Sequence, residues 1–228
     1  MKILALESSA AACSAALCED EFLLAQSFQN SGLTHSRTLM PMVQSMLEHC
    51  GHTLAEVDVV AVAAGPGSFT GLAAPRDLPC AAVSTLEAIA ENAQGLPFDG
   101  VVCAVMDARR NQVYNARFRS TGDGLLRLCP DRAVALAELA EELKTSGKPQ
   151  ILVGDGAVLC YTTLKESGLD VRLAPPHLRF QSAWGVARCA LEQVRTGRLT
   201  DAASLSPDYH RLSQAERERL AKEQNKGE

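Results

Sequence analysis

The chain has 228 residues, of which 46% are hydrophobic and 21% charged, and its formal net charge is −5. This length can bury a substantial core and fits one domain or two small lobes, of which we favour two. The negative net charge argues against a protein that binds nucleic acid by itself, because such proteins usually carry a basic face. No apolar run is long enough to cross a bilayer, so the composition excludes an integral membrane protein.

The cysteine pattern indicates a reducing compartment. Eight cysteines are scattered through mostly apolar segments, and no two of them form a Cys-x-x-Cys pair. The opening Met1-Lys2-Ile3 does not resemble a signal peptide. We therefore expect reduced core thiols in a cytoplasmic protein.

The first half of the chain alternates between strand and helix patterns. Short apolar runs bounded by turn residues predict strands, and apolar residues at helical spacing predict helices. The predicted strands are Ile3–Glu7, Cys13–Cys18, Phe22–Phe28, Val57–Ala64 and Cys80–Val83, and the predicted helices run from Ser36 to His49 and from Ser84 or Thr85 to about Gln94.

The second half repeats this order after a boundary at Gly95–Gly100. Its predicted strands are 101–106, 112–119, 125–128, 151–153 and 171–173, and its predicted helices are 135–144, 161–166 and 182–195. Hairpin strands followed by helix-connected strands give a mixed sheet covered by helices. We therefore expect an α/β protein of two duplicated lobes, residues 1–97 and 98–228. The mixed charges from Ser213 onward predict a solvated helix or a frayed end.

The segment Gly65–Gly71 is the most distinctive one in the sequence. A buried strand leads into three glycines, which allow close approach to a ligand or to another backbone. Ser68 and Thr70 offer hydroxyls there, but the pattern is neither a P-loop nor a dinucleotide fingerprint. A structural turn is slightly favoured over a phosphate cradle. A peptidase with Ser68 as nucleophile is a remote alternative, because no histidine context predicts the base.

The helix predicted from Ser36 to His49 has an unusually wide apolar face. Its methionines offer flexible contact area that suits a partner surface. Burial of the whole face in the core explains the pattern about as well, and both interpretations stay open here. The apolar residues are Leu39, Met40, Met42, Val43, Met46, Leu47 and Cys50.

The duplicated lobe resembles the actin, sugar-kinase and Hsp70 ATPase (ASKHA, RNase H-like) superfamily. Six sequence blocks, which run from the first strand nearly to the tail, point to one family within it. They are Ile3–Ser9, Thr34–Pro41, Gly65–Leu72, Val83–Ala88, Asp107–Tyr114 and Ser206–Tyr209. On these blocks, of which Gly65–Leu72 is the most specific, the chain resembles the TsaB (YeaZ) family.

The resemblance implies an accessory role in tRNA modification. Such proteins are non-catalytic subunits of the machinery that installs N6-threonylcarbamoyladenosine at position 37 of tRNAs reading ANN codons. It implies pairing with the catalytic paralogue TsaD, joined by the ATPase TsaE, on threonylcarbamoyl-adenylate made by TsaC. Contact with tRNA would come only through the complex, and no cofactor is implied.

The resemblance also directs attention to helices of the first lobe as the surface for TsaD, or for a homodimer when the chain is alone. Charged residues at Val43 and Met46 are expected to abolish pairing while the monomer stays folded. The predicted contact residues are Leu39, Met42, Val43, Met46, Leu47 and Cys50.

Proteins of the superfamily bind phosphate near the end of their first strand. The resemblance therefore implies a vestigial phosphate loop in this chain. An autonomous nucleotide-dependent ATPase or kinase, with Mg²⁺ held through water by Glu7, is the alternative function. We expect no metal at His35, because Leu39 occupies the position one turn further on. The residues of the predicted loop are Glu7, Ser8, Ser9, Gly65, Gly67, Ser68 and Thr70.

The chain departs from the family pattern after Leu72. Members normally continue with Arg-Ile-Gly and a full helix, whereas here Ala73–Asp77 leads almost directly to Cys80. Either the helix is deleted or the sequence omits it, and omission is favoured because the loss of the helix would expose neighbouring core.

Overall fold

A computed structural model of the chain describes residues 1–67, 78–121 and 124–205. The first sheet has the order β3-β2-β1-β4-β5, in which β1, β2 and β3 are antiparallel and β4 and β5 run parallel to β1. One helix, α1 (His35–His49), covers one face of this sheet. The strands are β1 (Lys2–Glu7), β2 (Cys13–Glu19), β3 (Phe22–Gln29), β4 (Val59–Gly65) and β5 (Cys80–Ser84).

The second sheet repeats this topology. Its order is β11-β10-β6-β7-β8, which matches the first sheet when it is read from β8. As in the first sheet, the first three strands in the chain (β6, β7 and β8) are antiparallel, and the last two (β10 and β11) run parallel to the first. The repetition confirms the predicted duplication of a mixed sheet flanked by helices. The strands are β6 (Val101–Asp107), β7 (Gln112–Thr121), β8 (Gly124–Arg127), β9 (Arg132–Ala135), β10 (Gln150–Val153) and β11 (Val171–Leu173), and the helices between them are α3 (Leu136–Ser146) and α4 (Ala157–Glu166).

Two further helices cross between the sheets. Helix α2 (Thr85–Glu91) follows the first sheet in the chain but packs its Leu86 and Ile89 into the core of the second sheet. Helix α5 (Ala183–Arg195) follows the second sheet but packs on the first. The two helices touch where Gly185 faces the carbonyl oxygen of Ala88, with which a Cβ at position 185 would collide.

Most predicted elements are present with shifted ends. Strand β9 was not predicted; it pairs with β7 beyond the end of β8. Helix α4 begins earlier than expected, at Ala157, whose side chain is buried in the second core. Two short 3₁₀ helices, Leu54–Glu56 and Pro176–Leu178, were also not predicted.

The segment after α5 returns to the first sheet. Thr200 and Cys80 exchange backbone hydrogen bonds of 2.7 and 2.8 Å at the edge of β5. Ala202 and Leu205 then pack against the core cluster beneath α1. Val60 and Val62 of that cluster are each only 2% exposed.

Candidate functional site

Helix α1 lies on the first sheet with one face inward. Thr34 occupies the N-cap position without a side-chain hydrogen bond, and Gly51, at φ +72°, follows the C-cap. The inward face contacts Leu4, Leu17 and neighbouring residues of the sheet core. Burial of these side chains holds the helix in place. The buried residues of the helix are Leu39, Val43, Met46 and Leu47.

Four of the six predicted contact residues are therefore part of the core. Met42 and Cys50, the other two, are half-buried and pack against the same cluster. The expectation that charges at Val43 and Met46 would leave the monomer folded is wrong, because both side chains are buried and a charge there would be desolvated. The assignment of α1 to a partner remains a prediction, and it now concerns the outer face of the helix.

The outer face of α1 carries one strongly exposed apolar side chain. Met40 is 54% exposed, and Pro41 beside it is exposed as well. Next to this face, a groove of about 760 Å³ separates α1 from β3. Phe28 of β3 and Met42 of α1 line this groove together with polar side chains that include Arg37 and His49. The surface around α1 is thus a mixed apolar and polar one.

The end of β1 holds a buried carboxyl group. Glu7 is 0% exposed, and its Oε1 accepts hydrogen bonds from the backbone N–H of Ser9 at 2.6 Å and from the Ser9 hydroxyl at 2.5 Å. Its Oε2 is buried without a hydrogen-bond partner among the described residues. Burial raises the pKa of Glu7 to about 7, because water no longer stabilises the charged form. Ser8 is buried too, so all three residues predicted here lie together.

The beginning of the glycine segment packs directly onto this turn. Gly67 has a φ of +133°, and a Cβ at this position would lie 2.6 Å from the carbonyl oxygen of Ser9. Glycine is needed because a side chain would meet the first turn of the sheet. The segment therefore approaches another backbone, as one of the two interpretations of the sequence expected. Ser68 and Thr70 lie outside the described residues.

The second lobe adds carboxyl groups at corresponding places. Asp107 ends β6 as Glu7 ends β1, and Asp155 follows β10. Gln181 donates a hydrogen bond of 2.7 Å from Nε2 to Asp155 Oδ1. Burial, and to a lesser extent the nearby Asp107 carboxylate, raise the pKa of Asp155. We name Glu7, Asp107 and Asp155 the inter-lobe carboxyl cluster. These three residues lie at or just after the ends of strands from both sheets.

The cluster has limited chemical capacity. Among residues 1–67, 78–121 and 124–205, no three His, Cys, Asp or Glu side chains are placed to hold a metal ion. Glu7 is fully enclosed, and the hydroxyl of Ser9 is engaged with it. The sequence indicated Glu7 and Ser9 by their position at the end of a strand, but it did not single out Asp155. No local signal indicated Gln181, which reaches the cluster only through the fold.

Comparison with known proteins gives consistent results. The family model described as "TsaD: tRNA N6-adenosine threonylcarbamoyltransferase" matches residues 29–170. The TsaB protein of Bacillus subtilis, named a tRNA threonylcarbamoyladenosine biosynthesis protein, is 32% identical over 95% of this chain and 96% of its own length. The Escherichia coli protein of the same name is 33% identical over 75% of this chain and 79% of its own length.

Solved structures share the fold. YeaZ from Pseudomonas aeruginosa superimposes with a TM-score of 0.74 at 24% identity, covering 91% of this chain and 99% of that one. An activator of 2-hydroxyisocaproyl-CoA dehydratase from Clostridium difficile, solved with ADPNP, gives a TM-score of 0.53 at 11% identity, covering 87% of this chain and 97% of that one. These likenesses confirm the predicted ASKHA-type fold. Among the described residues, no helix is both long and apolar enough to cross a membrane.

Proposed function

The chain belongs to the TsaB family, and on that premise we propose that it serves threonylcarbamoyladenosine biosynthesis in tRNA as a non-catalytic subunit. In this role it binds the catalytic paralogue TsaD through the outer face of α1 and the adjoining groove. TsaE joins the assembled pair, and tRNA is modified by the complex rather than by this chain. The same face would pair two copies of the chain when TsaD is absent.

The state of Glu7 is the observation that best supports a non-catalytic role. A nucleotide-dependent enzyme of this fold would need open phosphate contacts at the end of β1. Here Glu7, Ser8 and Ser9 are buried, and the Ser9 hydroxyl is committed to Glu7. Gly67 packs against the Ser9 carbonyl, which occupies the space beside the turn. These contacts favour an inherited architecture over a working phosphate site.

The character of the α1 surface supports partner binding. Exposed apolar side chains that are surrounded by polar ones are typical of protein interfaces. Met40 and Met42 supply flexible contact area, and the groove that Met42 lines gives a partner helix a place to bind. The polar residues at the rim of the groove would keep the free subunit soluble.

The first experiment is size-exclusion chromatography with light scattering on the chain alone and mixed with TsaD from the same organism. Each fraction is then assayed for tRNA modification in the presence of TsaE and threonylcarbamoyl-adenylate. We expect a mixed complex that modifies tRNA while neither subunit does so alone. Absence of the complex would contradict the proposed function.

The interface is tested by Met40→Glu on α1. A carboxylate there would be desolvated against the partner, and we expect pairing to weaken at least tenfold without loss of the folded monomer. Val158→Glu on α4 is the matched control, because Val158 is an apolar residue of a surface helix with 53% exposure, close to the 54% of Met40. Equal affinity of the two variants for TsaD would contradict the assignment of this face.

Calorimetry with Mg-ATP and Mg-ADP separates the subunit role from the alternative of an autonomous ATPase or kinase. We expect no heat of binding from the isolated chain, because its phosphate-facing groups are buried. Saturable binding that is lost in Ser9→Ala would favour the enzyme instead.

A further inference from the structure

The turn between β6 and β7 has an unusual backbone. Arg109, Arg110 and Asn111 have φ values of +63°, +56° and +57°. Left-handed conformation is unfavourable for most L-residues with a side chain, so a run of three that includes two arginines is unusual. Strain of this kind persists only where surrounding contacts enforce it, and it is concentrated at functional positions.

Surrounding hydrogen bonds do enforce the turn. Asp107 Oδ1 accepts from the backbone N–H of Arg109 at 2.7 Å, and Gln112 N–H donates to the Arg109 carbonyl at 3.1 Å. The Asn111 carbonyl accepts from the N–H of Leu136, at the start of α3, at 3.0 Å. The turn is thus tied both to its own strands and to a neighbouring helix. Its two arginines are carried by a backbone with little freedom.

The side chains on this turn are unengaged. Arg109 and Arg110 are exposed, and neither guanidinium has a hydrogen bond or an ion pair within the described parts of the chain. Two other arginines of the second lobe are paired: Arg127 with Glu87 and Asp131, and Arg132 with Glu142. A strained turn therefore displays two adjacent cations whose guanidinium groups make no contact with the described residues.

The position of the turn limits what these cations bind. A Cβ at Gly67 would lie 3.1 Å from Met106 Cε, and one at Gly156 would lie 3.0 Å from the N–H of Asp107, so the turn begins at the mouth between the lobes. Behind it lie the buried carboxyl group of Glu7 and the half-buried one of Asp155. A phosphate chain that entered the cleft would lie close to these carboxyl groups, which disfavour an anion. An anion that stays outside and contacts only the two guanidinium groups would avoid them.

We propose that Arg109 and Arg110 hold the phosphodiester backbone of RNA as it passes the mouth between the lobes. A guanidinium group can donate two parallel hydrogen bonds to the oxygens of one phosphate, and two adjacent guanidinium groups can bind successive phosphates of a polymer. The net charge of −5 prevents the chain from attracting RNA over its whole surface, so this contact acts locally within a complex. The identification of the RNA as tRNA rests on the proposed function.

The test is a salt titration of tRNA binding. Fluorescence anisotropy of labelled tRNA is measured with the TsaD complex that contains either wild-type chain or Arg109→Gln/Arg110→Gln. We expect about a tenfold weaker affinity for the variant, and a plot of log affinity against log salt that is shallower by about 2, one unit for each lost phosphate contact. Arg119→Gln is the matched control, since Arg119 is also exposed and has no partner among the described residues but lies near the other end of β7. It should change neither quantity.

Three results would overturn the proposal. The first is an unchanged tRNA affinity of the double variant. The second is loss of its pairing with TsaD on size exclusion, which would indicate a protein contact. The third is loss of its affinity for free ATP while tRNA binding stays intact. The proposed function fails separately, if the wild-type chain does not pair with TsaD. In that case the same titration is made on the chain alone at low salt, and the RNA contact stands only if the double variant binds tRNA more weakly than the wild type.

Discussion

At the scale of single residues, Glu7 is the most unusual group in the protein. One of its oxygens receives two hydrogen bonds from Ser9, while the other is buried without a partner in the described part of the chain. Burial outweighs the hydrogen bonds, so its pKa rises to about 7. Near neutral pH the protein therefore either keeps a proton on Glu7 or tolerates a poorly solvated charge.

This predicts that stability falls as pH rises. Between pH 4.5 and 7 the native state holds a proton on Glu7 that the unfolded chain releases, so the contribution of Glu7 to the free energy of unfolding decreases with pH across this range and is level outside it. Glu7→Gln keeps an acceptor for Ser9 and removes the charge. We expect it to stabilise the protein at pH 8 by on the order of 3 kcal/mol and to have little effect at pH 4.

Urea unfolding at the two pH values measures this difference. Glu48→Gln serves as the control, because Glu48 is exposed on α1 and its side chain has no partner among the described residues. It should leave the difference between pH 4 and pH 8 as in the wild type. A Glu7→Gln protein less stable than wild type at pH 8 would mean that the carboxylate is stabilised by something other than Ser9.

Sequence reasoning reached only part of this site. Glu7 and Ser9 follow a clear strand, and the glycines at 65 and 67 signal a close approach, so their proximity could be predicted. The pKa of Glu7 could not, because it depends on how completely other elements enclose it. Gln181 joins Asp155 across a long stretch of chain, and no local pattern encodes that contact.

At the scale of elements, α1 shows what periodicity can and cannot reveal. The apolar spacing predicted the helix almost to its ends, His35 and His49. It did not reveal how much of the apolar face the sheet covers. Leu39, Val43 and Met46 all point inward, while Met40 stays outside. The width of an apolar face therefore predicts burial but does not distinguish core from interface.

The crossing of α2 and α5 gives a prediction at this scale. In a helix, alanine is ordinarily more favourable than glycine by about 1 kcal/mol. At Gly185, however, the added methyl group would collide with the Ala88 carbonyl, and neither backbone can move without disturbing a sheet core. We expect Gly185→Ala to reduce the free energy of unfolding by about 1–3 kcal/mol.

Thermal and urea unfolding measure the effect of this substitution. Gln44→Ala on the exposed face of α1 is the reference for the gain in helix propensity alone. It should be neutral or slightly stabilising. A Gly185→Ala protein at least as stable as wild type would show that the two helices separate easily.

At the scale of the whole molecule, the exchange of helices joins the two lobes. The sheets themselves separate cleanly, one ending at Ser84 and the other beginning at Val101. Their repeated order could be predicted because each half shows the same succession of strands and helices. The exchange could not, since amphipathic spacing shows that a helix buries one face but not which sheet it covers.

The exchange predicts that the first half cannot fold alone. Residues 1–97 contain every strand of the first sheet but lack α5, which covers one of its faces. We expect this fragment to be insoluble, or to show no cooperative unfolding by circular dichroism. Addition of a fragment of residues 98–228 should restore a cooperative transition. A cooperatively folded, monomeric fragment of residues 1–97 would contradict the expectation.

The late position of α5 also affects synthesis on the ribosome. The strands of the first sheet leave the exit tunnel long before the helix that covers Ile3 and Ala61 has been translated. Until then the nascent chain exposes one apolar face of a nearly complete sheet, a surface prone to aggregation. The segment that carries Thr200, which closes the edge of β5, is translated later still. The amino-terminal half of this protein should therefore need a chaperone for most of its translation.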